Sequence, residues 1–415
     1  VIEQAIILAG GKGTRLQSVV SDVPKPMAQI GEKPFLEHLL LRLSTQGLKK
    51  IILSVGYKKE SILDHFGHEF KGLQIAYAEE DKPLGTGGAI MHALKYCDSN
   101  DVLIFNGDTY LDLDLNAFTS IHISNDSGMS LALKEISHPD RYGTVDIRYE
   151  KDGLYLASFN EKQTGLTSGI INAGVYAVKK SWLNALNLPE VFSFESEVLE
   201  KYVNQDKFGA YLTKGFFIDI GIPEDYRRAM AYFAMPQIDS DWTLFLDRDG
   251  VINERIVDDY VRSKEGFKFL PGALEAIAGF TKVFKRIIVV TNQQGVGKGL
   301  MQHRDVDEIH EYMVNQIENA GGKIDRVYYC PALHANNDPC RKPNPGMAFS
   351  AKNDFPDVDL SKSLMIGDSI SDLEFAQNAG MMSAYIIDEP YKYELKLTDI
   401  HAINLLEIES YLRRS

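Results

Sequence analysis

The stretch Phe245-Leu246-Asp247-Arg248-Asp249-Gly250-Val251-Ile252-Asn253 decides how the chain is read. An apolar run from Trp242 to Leu246 has the composition of a buried strand, and it ends in an Asp-x-Asp pair before a glycine turn. In an open α/β sheet the ligand crevice lies outside the carboxyl ends of the strands. Asp247 and Asp249 would enter it, with Arg248 turned away. An α/β site therefore begins in mid-chain. Enough of the 415 residues precede it, and enough follow it, for a domain on either side, so the chain should carry two sites.

Composition narrows the partners. Hydrophobic residues make up 44% and charged residues 25%, the balance of a globular protein with ordinary cores. The formal charge of -14 argues against a nucleic-acid partner, because phosphate backbones are bound largely through Lys and Arg. Anionic small molecules would need local basic clusters. No basic leader precedes the run from Ala5 to Ala9, which is far too short for a signal-peptide core or a membrane span. Cys97, Cys330 and Cys340 are too few for a disulfide framework and fit a reducing compartment. The expectation is a cytoplasmic protein without a membrane partner. Whether it forms a homo-oligomer is left open.

In the first half, a strand from Ala5 to Leu8 runs into Leu8-Ala-Gly-Gly-Lys-Gly-Thr-Arg-Leu16. Gly10, Gly11 and Gly13 let bare amides face an anion, while Lys12 and Arg15 add positive charge. Alone this would read as a tight turn; with Pro24-Lys25-Pro26, where two prolines fix the presentation of a lysine, it reads as a phosphate cradle. Leu36, Leu39, Leu40 and Leu43 recur at helical spacing and mark a core face. Strands and helices alternate after it, as in a parallel sheet. Pro83-Leu-Gly-Thr-Gly-Gly-Ala-Ile90 opens a helix at which Gly85, Gly87 and Gly88 would admit a flat group or an anion, or simply a turn. Asp108 and Asp219 each follow an apolar run, the placement of carboxylates that hold a cation over a triphosphate.

The ordered series LAGGKGTRL, PKPM, GTGGAI, NGDTY, NEK, NAGVY and DIGIPEDY resembles the sugar 1-phosphate nucleotidyltransferases over residues 1 to 235. Within that family it most resembles guanylyltransferases acting on D-glycero-D-manno-heptose 1-phosphate, with N-acetylmuramate 1-phosphate uridylyltransferases and mannose 1-phosphate guanylyltransferases close behind. The resemblance implies that Gly10, Gly11, Gly13, Thr14, Arg15 and Lys25 hold the nucleotide phosphates and that Gly85, Gly87 and Gly88 lie near the base. It also implies Mg2+ on Asp108 and Asp219, with Glu161, Lys162 and Asn172 on the sugar phosphate. The sugar phosphate oxygen would attack the α-phosphorus in line. A phosphate monoester is already nucleophilic, so positioning and charge neutralisation are the larger effects.

In the second half, Thr291-Asn292 follows a strand from Arg286, Lys342 stands in Arg341-Lys342-Pro343, and Asp368 and Asp372 follow Leu364 to Ile366. The series resembles the haloacid dehalogenase superfamily across residues 241 to about 390, and DRDGVIN, TNQ and CRKPNPGM are most similar to heptose 1,7-bisphosphate phosphatases and related histidinol-phosphatases. The resemblance implies Asp247 as nucleophile, Asp249 as general acid and base, and Thr291, Asn292 and Lys342 on the phosphoryl oxygens. Mg2+ would sit on Asp247, Asp368 and the backbone carbonyl of Asp249. These phosphatases often carry zinc on a Cys-x-His and a Cys-x-Cys pair, but here the positions read Cys330-Pro-Ala332 and Asp338-Pro-Cys340. A zinc site would have to draw on Cys330, His334 and Cys340, with Asp338; ordinary thiols are expected instead.

The sequence thus reads as α/β with two domains: a Rossmann-like nucleotidyltransferase with a mixed sheet at 1–236 and a haloacid dehalogenase-like parallel sheet at 241–415. The expected substrates are heptose 1,7-bisphosphate, heptose 1-phosphate and GTP. UTP with another sugar phosphate would keep both reactions. A non-catalytic sensor of nucleotide sugars tethered to a phosphatase is the alternative of another class, and the intact Arg15, Lys25, Asp108 and Asp219 argue against it.

Overall fold

The computed structural model of the chain describes residues 2–11, 16, 23–160, 165–256, 259–387 and 398–412. It divides into two units, Val1–Phe233 and Ala234–Arg414.

The central strands of the first unit are apolar over consecutive residues. β1 (Gln4–Leu8) sends Ala5 and Ile7 into one core and Ile6 into the other. A sheet covered on both faces needs that pattern, because successive side chains point to opposite faces. α1 (Phe35–Ser44) buries Leu36, Leu39, Leu40 and Leu43 in the core that holds Ile7, the face its spacing predicts. β2 (Lys50–Val55) and β3 (Leu73–Glu79) extend the sheet in parallel, and α2 (Gly85–Ala93) packs Ile90 and Ala93 into the core that holds Ile6. β4 (Asp101–Asn106) pairs with β1 on its other side. Beyond it lie β5 (Met129–Ser137), β6 (Thr144–Glu150), β7 (Gly153–Asn160), β8 (Ser168–Lys179) and β9 (Gly209–Thr213). β8 runs antiparallel to both β4 and β5, so the sheet is mixed. With Glu69–Phe70 it has ten strands among the described residues, in the order β6–β7–β9–β5–β8–β4–β1–β2–β3 and then Glu69–Phe70. β9 is not evident from the sequence, where its five residues show no clean alternation.

The glycines opening α2 have a packing reason. A Cβ on Gly87 would lie 2.0 Å from the Phe192 ring, and one on Gly88 would lie 2.4 Å from the Glu190 carbonyl oxygen. Backbone cannot give way as a flexible side chain can. Gly88→Ala is therefore expected to destabilise this unit by about 1–3 kcal/mol, seen as a lower urea midpoint for its transition. An unchanged midpoint would show that the 190–192 segment yields freely.

The second unit centres on β10 (Thr243–Leu246), whose four residues are all buried. Leu244, Phe245 and Leu246 are fully enclosed, and each contributes about 1.5–3 kcal/mol by burial. α3 (Ala273–Phe280) leads to β11 (Arg286–Asn292). α4 (His303–Asn319) follows, opened by a capping box between Gln302 and Asp305, and then β12 (Arg326–Cys330). β13 (Ser363–Gly367), α5 (Ile370–Ala379), β14 (Met382–Ile386) and β15 (Ile400–Ala402) complete a six-stranded sheet of order β12–β11–β10–β13–β14–β15. Every pairing is parallel. Leu246 lies opposite Val289 on one side and Ile366 on the other. That register releases Asp247, Thr291 and Asp368 from the same sheet edge within a residue or two of one another.

Candidate active sites

In the second unit, three carboxylates and one lysine meet at the edge where β10, β11 and β13 end. Lys342 is 3% exposed, and its Nζ lies 2.8 Å from Asp247 and 2.6 Å from Asp372 while donating to the Val290 carbonyl at 2.9 Å. Burial opposes a charge on Lys342, but the two carboxylates hold its pKa above the usual lysine range. Asp247 Oδ1 also accepts from the Arg248 backbone N–H at 2.7 Å, which fixes the rotation of the carboxylate. Carboxylate oxygens of Asp247, Asp368 and Asp372 lie within 4.8 Å of one another. Burial pushes Asp247 up to about 8 against the pull of Lys342, with Asp372 and Asp368 adding to the rise. Burial and Asp372 likewise push Asp368 up to about 6. Three carboxylates against the Lys342 ammonium and the largely exposed Arg255, 3.4 Å from Asp368, leave an excess of negative charge, so the donor set fits a hard divalent cation with oxygen ligands. Gly250 makes the approach feasible: its φ is +86°, and a Cβ there would lie 2.0 Å from Asp368 Oδ2.

The remaining predicted residues take particular positions. Asp249 accepts from Arg248 Nη2, Asn253 Nδ2 and Gln293 Nε2. Burial would raise its pKa, but Arg248 and those amides hold it below the usual carboxylate range. Thr291 is buried, and its hydroxyl accepts from Gln293 at 2.9 Å. Asn292 is turned onto the lysine loop: its Nδ2 donates to the Lys342 carbonyl and its Oδ1 accepts from the Lys342 N–H, both at 3.1 Å. Its side-chain amide therefore holds the Lys342 backbone in place. Asp372 serves twice, capping α5 through Ser369 and pairing with Lys342.

The first unit has a cleft of about 950 Å³ at the ends of β1–β4, lined among others by Gly10, Gly11, Lys25, Glu80, Gly85 and Asp108. Lys25 Nζ bridges Asp108 at 2.5 Å and Asp219 at 3.1 Å. Burial opposes its charge, but the two acids raise its pKa; burial, with Asp108 beside it, raises that of Asp219. Two acids against one lysine again leave negative charge for a cation. Gly85, at the cleft, has φ +73°, whereas Gly87 and Gly88 are buried against residues 190–192. Asn172 donates to the Tyr176 hydroxyl and accepts from the Gly174 N–H, so both ends of its amide are engaged within β8. Lys12, Gly13, Thr14, Arg15, Glu161 and Lys162 lie outside the described residues.

Known proteins match each unit. The nucleotidyl transferase family matches residues 4–234. A D-glycero-alpha-D-manno-heptose 1-phosphate guanylyltransferase of Aneurinibacillus thermoaerophilus is 46% identical over 226 residues, 54% of this chain and 96% of that protein. The chain belongs to the nucleotidyl transferase family. A crystal structure of HddC from Yersinia pseudotuberculosis complexed with GMP-PN resembles the nucleotidyl transferase half at 41% identity and a TM-score of 0.50, covering 56% of this chain and 100% of that one. In the other half the HAD-hydrolase-like family matches residues 339–391. A D-glycero-alpha-D-manno-heptose-1,7-bisphosphate 7-phosphatase of Mycobacterium tuberculosis is 46% identical over 137 residues, 33% of this chain and 72% of that protein.

The HAD-like half departs from the expectation of free thiols. Cys330, at the end of β12, and Cys340 are joined by a disulfide with a Cα–Cα distance of 5.5 Å. The intervening loop folds back, with Cys340 N–H donating to Asp338 Oδ1 at 2.8 Å. Ten residues of separation carry no fixed geometry, so the sequence could not show the approach. Sulfurs bonded to each other offer no thiolates, and among the described residues the donors near them are Asp338 without His334, so the set does not fit zinc.

Sequence reasoning missed several residues of the nucleotidyl transferase and HAD-like halves. Glu80 lines the first cleft, held by Ser54 Oγ at 3.0 Å and the Leu84 N–H at 3.2 Å. In the second, Arg248 and Gln293 bond to Asp249, and His310 lies against Arg248. Gln293 had a signal, since it stands two residues after Thr291 and would face the same way. His310 had none. No helix among the described residues is long and apolar enough to cross a membrane.

Proposed function

We propose that the HAD-like half removes the 7-phosphate of D-glycero-D-manno-heptose 1,7-bisphosphate and that the nucleotidyl transferase half transfers GMP from GTP to the resulting 1-phosphate. The observation that carries this reading is the pairing: relatives of the two halves are named for steps on one sugar that follow from each other, and in each half a lysine lies against two acids. The product of one site is the substrate of the other.

In the phosphatase half, Asp247 attacks phosphorus and Lys342 neutralises charge beside it. Asp249 protonates the departing alkoxide and then takes a proton from the attacking water. Thr291 orients a phosphoryl oxygen. Mg2+ on Asp247, Asp368 and the Asp249 backbone carbonyl would offset repulsion between nucleophile and phosphate. In the transferase half, Asp108 and Asp219 would hold Mg2+, and Lys25 with the glycine-rich segment, including Gly13, Thr14 and Arg15, would steady the triphosphate. Glu161 and Lys162 would face the sugar phosphate. Glu80 supports guanine: a carboxylate accepts, and guanine presents N1–H and N2–H donors side by side.

The test is a product assay with Mg2+, heptose 1,7-bisphosphate and each common nucleoside triphosphate, following phosphate, pyrophosphate and nucleotide sugar separately. Pyrophosphate and GDP-heptose are expected only with GTP and only after phosphate release. Phosphate without any nucleotide sugar would refute the transferase assignment.

A further inference from the structure

Arg248 stands between the two acids of the Asp-x-Asp pair, and none of its surface is exposed. A guanidinium taken wholly out of water is costly unless its donors are met in fixed geometry. Its Nη2 donates to Oδ1 and Oδ2 of Asp249 at 2.9 and 2.8 Å. Its Nη1 donates at 3.1 Å to Nε2 of His310, a buried residue 62 positions later on α4. Beside a guanidinium and out of water, His310 is neutral and accepts that bond. Asn253 and Gln293 each add one N–H to Asp249 at 2.9 Å. Donors from the Asp-x-Asp turn and from the end of β11 thus converge on one carboxylate, and α4 seats the guanidinium between them. That carboxylate keeps 26% of its side chain open at the sheet edge.

We propose that Arg248, seated on His310, is the positioning residue that aims the Asp249 carboxylate at the oxygen leaving phosphorus. The inference rests on the phosphatase reading above. In the first half-reaction a bond forms between an Asp247 oxygen and phosphorus as the phosphorus–sugar oxygen bond breaks. The departing oxygen keeps the electron pair and takes its proton from Asp249, which must enter the step protonated; the anionic phosphate of the bound ester favours that form by disfavouring a second negative charge beside it. Water then attacks phosphorus, returns a proton to Asp249 and frees Asp247 with inorganic phosphate. A proton donor must stay within hydrogen-bond reach of one atom through both steps, and a misplacement of about 1 Å costs about 10²-fold. The flat guanidinium is held at two nitrogens, Nη2 on both Asp249 oxygens and Nη1 on His310, and a lysine ammonium on a flexible stem cannot span the two partners.

The test compares two esters in single turnovers of the full chain with Mg2+: heptose 1,7-bisphosphate, whose alkoxide needs a proton to leave, and 4-nitrophenyl phosphate, whose phenolate does not. Arg248→Lys is expected to slow first-turnover cleavage of the sugar ester by about 10²-fold with little change in KM, while first-turnover nitrophenolate release changes by less than about threefold. Equal losses on both esters, or no loss on the sugar ester, would overturn the proposal. If Arg248→Lys does not fold, the same split is expected for His310→Leu and not for His310→Gln, which keeps an acceptor for Nη1; identical behaviour of those two variants would overturn it equally. A wild-type chain that cleaves neither ester overturns the phosphatase reading itself, whereas an active wild type with equal losses in the variant overturns this inference alone.

Discussion

Asp247→Asn is expected to lower phosphate release from heptose 1,7-bisphosphate by at least about 10⁴-fold, equivalent to about 5 kcal/mol of lost transition-state stabilisation. An amide is a far poorer nucleophile than a carboxylate, and the neighbouring acids are engaged elsewhere: Asp372 is tied to Lys342 and Ser369, Asp368 is paired with Arg255, and Asp249 is held by Arg248, Asn253 and Gln293. Transfer of GMP to heptose 1-phosphate supplied directly should be unchanged, since that chemistry belongs to the other unit. Stability should move the opposite way. The folded pKa of Asp247 is raised, to about 8, so its ionised form costs stability that is regained only as pH falls through that value towards its ordinary range. At neutral pH an uncharged Asn removes that cost, and metal-free Asp247→Asn should melt no lower than the wild type. Phosphate release at the wild-type rate would sink the nucleophile assignment; a lower melting temperature would show that the carboxylate is a net structural partner of Lys342.

Asp108→Asn is expected to reduce pyrophosphate release from GTP and heptose 1-phosphate by about 10³-fold and to leave phosphate release from the bisphosphate intact. In the wild type Lys25 bridges Asp108 and Asp219, and the pair carries one more negative charge than the lysine can offset. With Asn at 108, Lys25 and Asp219 form a neutral one-to-one pair, and the excess charge that would draw a cation is gone. Binding of Mg2+ together with a nucleotide, followed by titration calorimetry, should weaken in step with the rate. A variant that transfers GMP normally would remove Asp108 from the metal site and leave Asp219 as the acid to test.

The first strand, the leucine face of α1 and the order of the motifs were all legible in the chain, because each is local: a short apolar run, helical spacing and a carboxylate past such a run are properties of a few consecutive residues. The same local logic left the contacts of some of these residues unread. Gly87 and Gly88 read as room for a ligand, yet the room is taken by Phe192 and Glu190. Asn292 follows Thr291 and reads as a phosphate contact, yet its amide closes on the Lys342 backbone fifty residues away. Cys330 and Cys340 read as separate thiols and are bonded.

By itself the sequence determined that there are two α/β units, which edge of each sheet carries the acids, and which residue types stand there. The tertiary structure alone decided what those residues touch. β10 lies between β11 and β13, and that order of neighbours brings Asp247 onto Lys342, while α4 brings His310 beneath Arg248. A side chain's secondary structure depends on residues a few positions away, but its charge state and aim depend on the groups that the sheet order packs against it, and no local pattern encodes these.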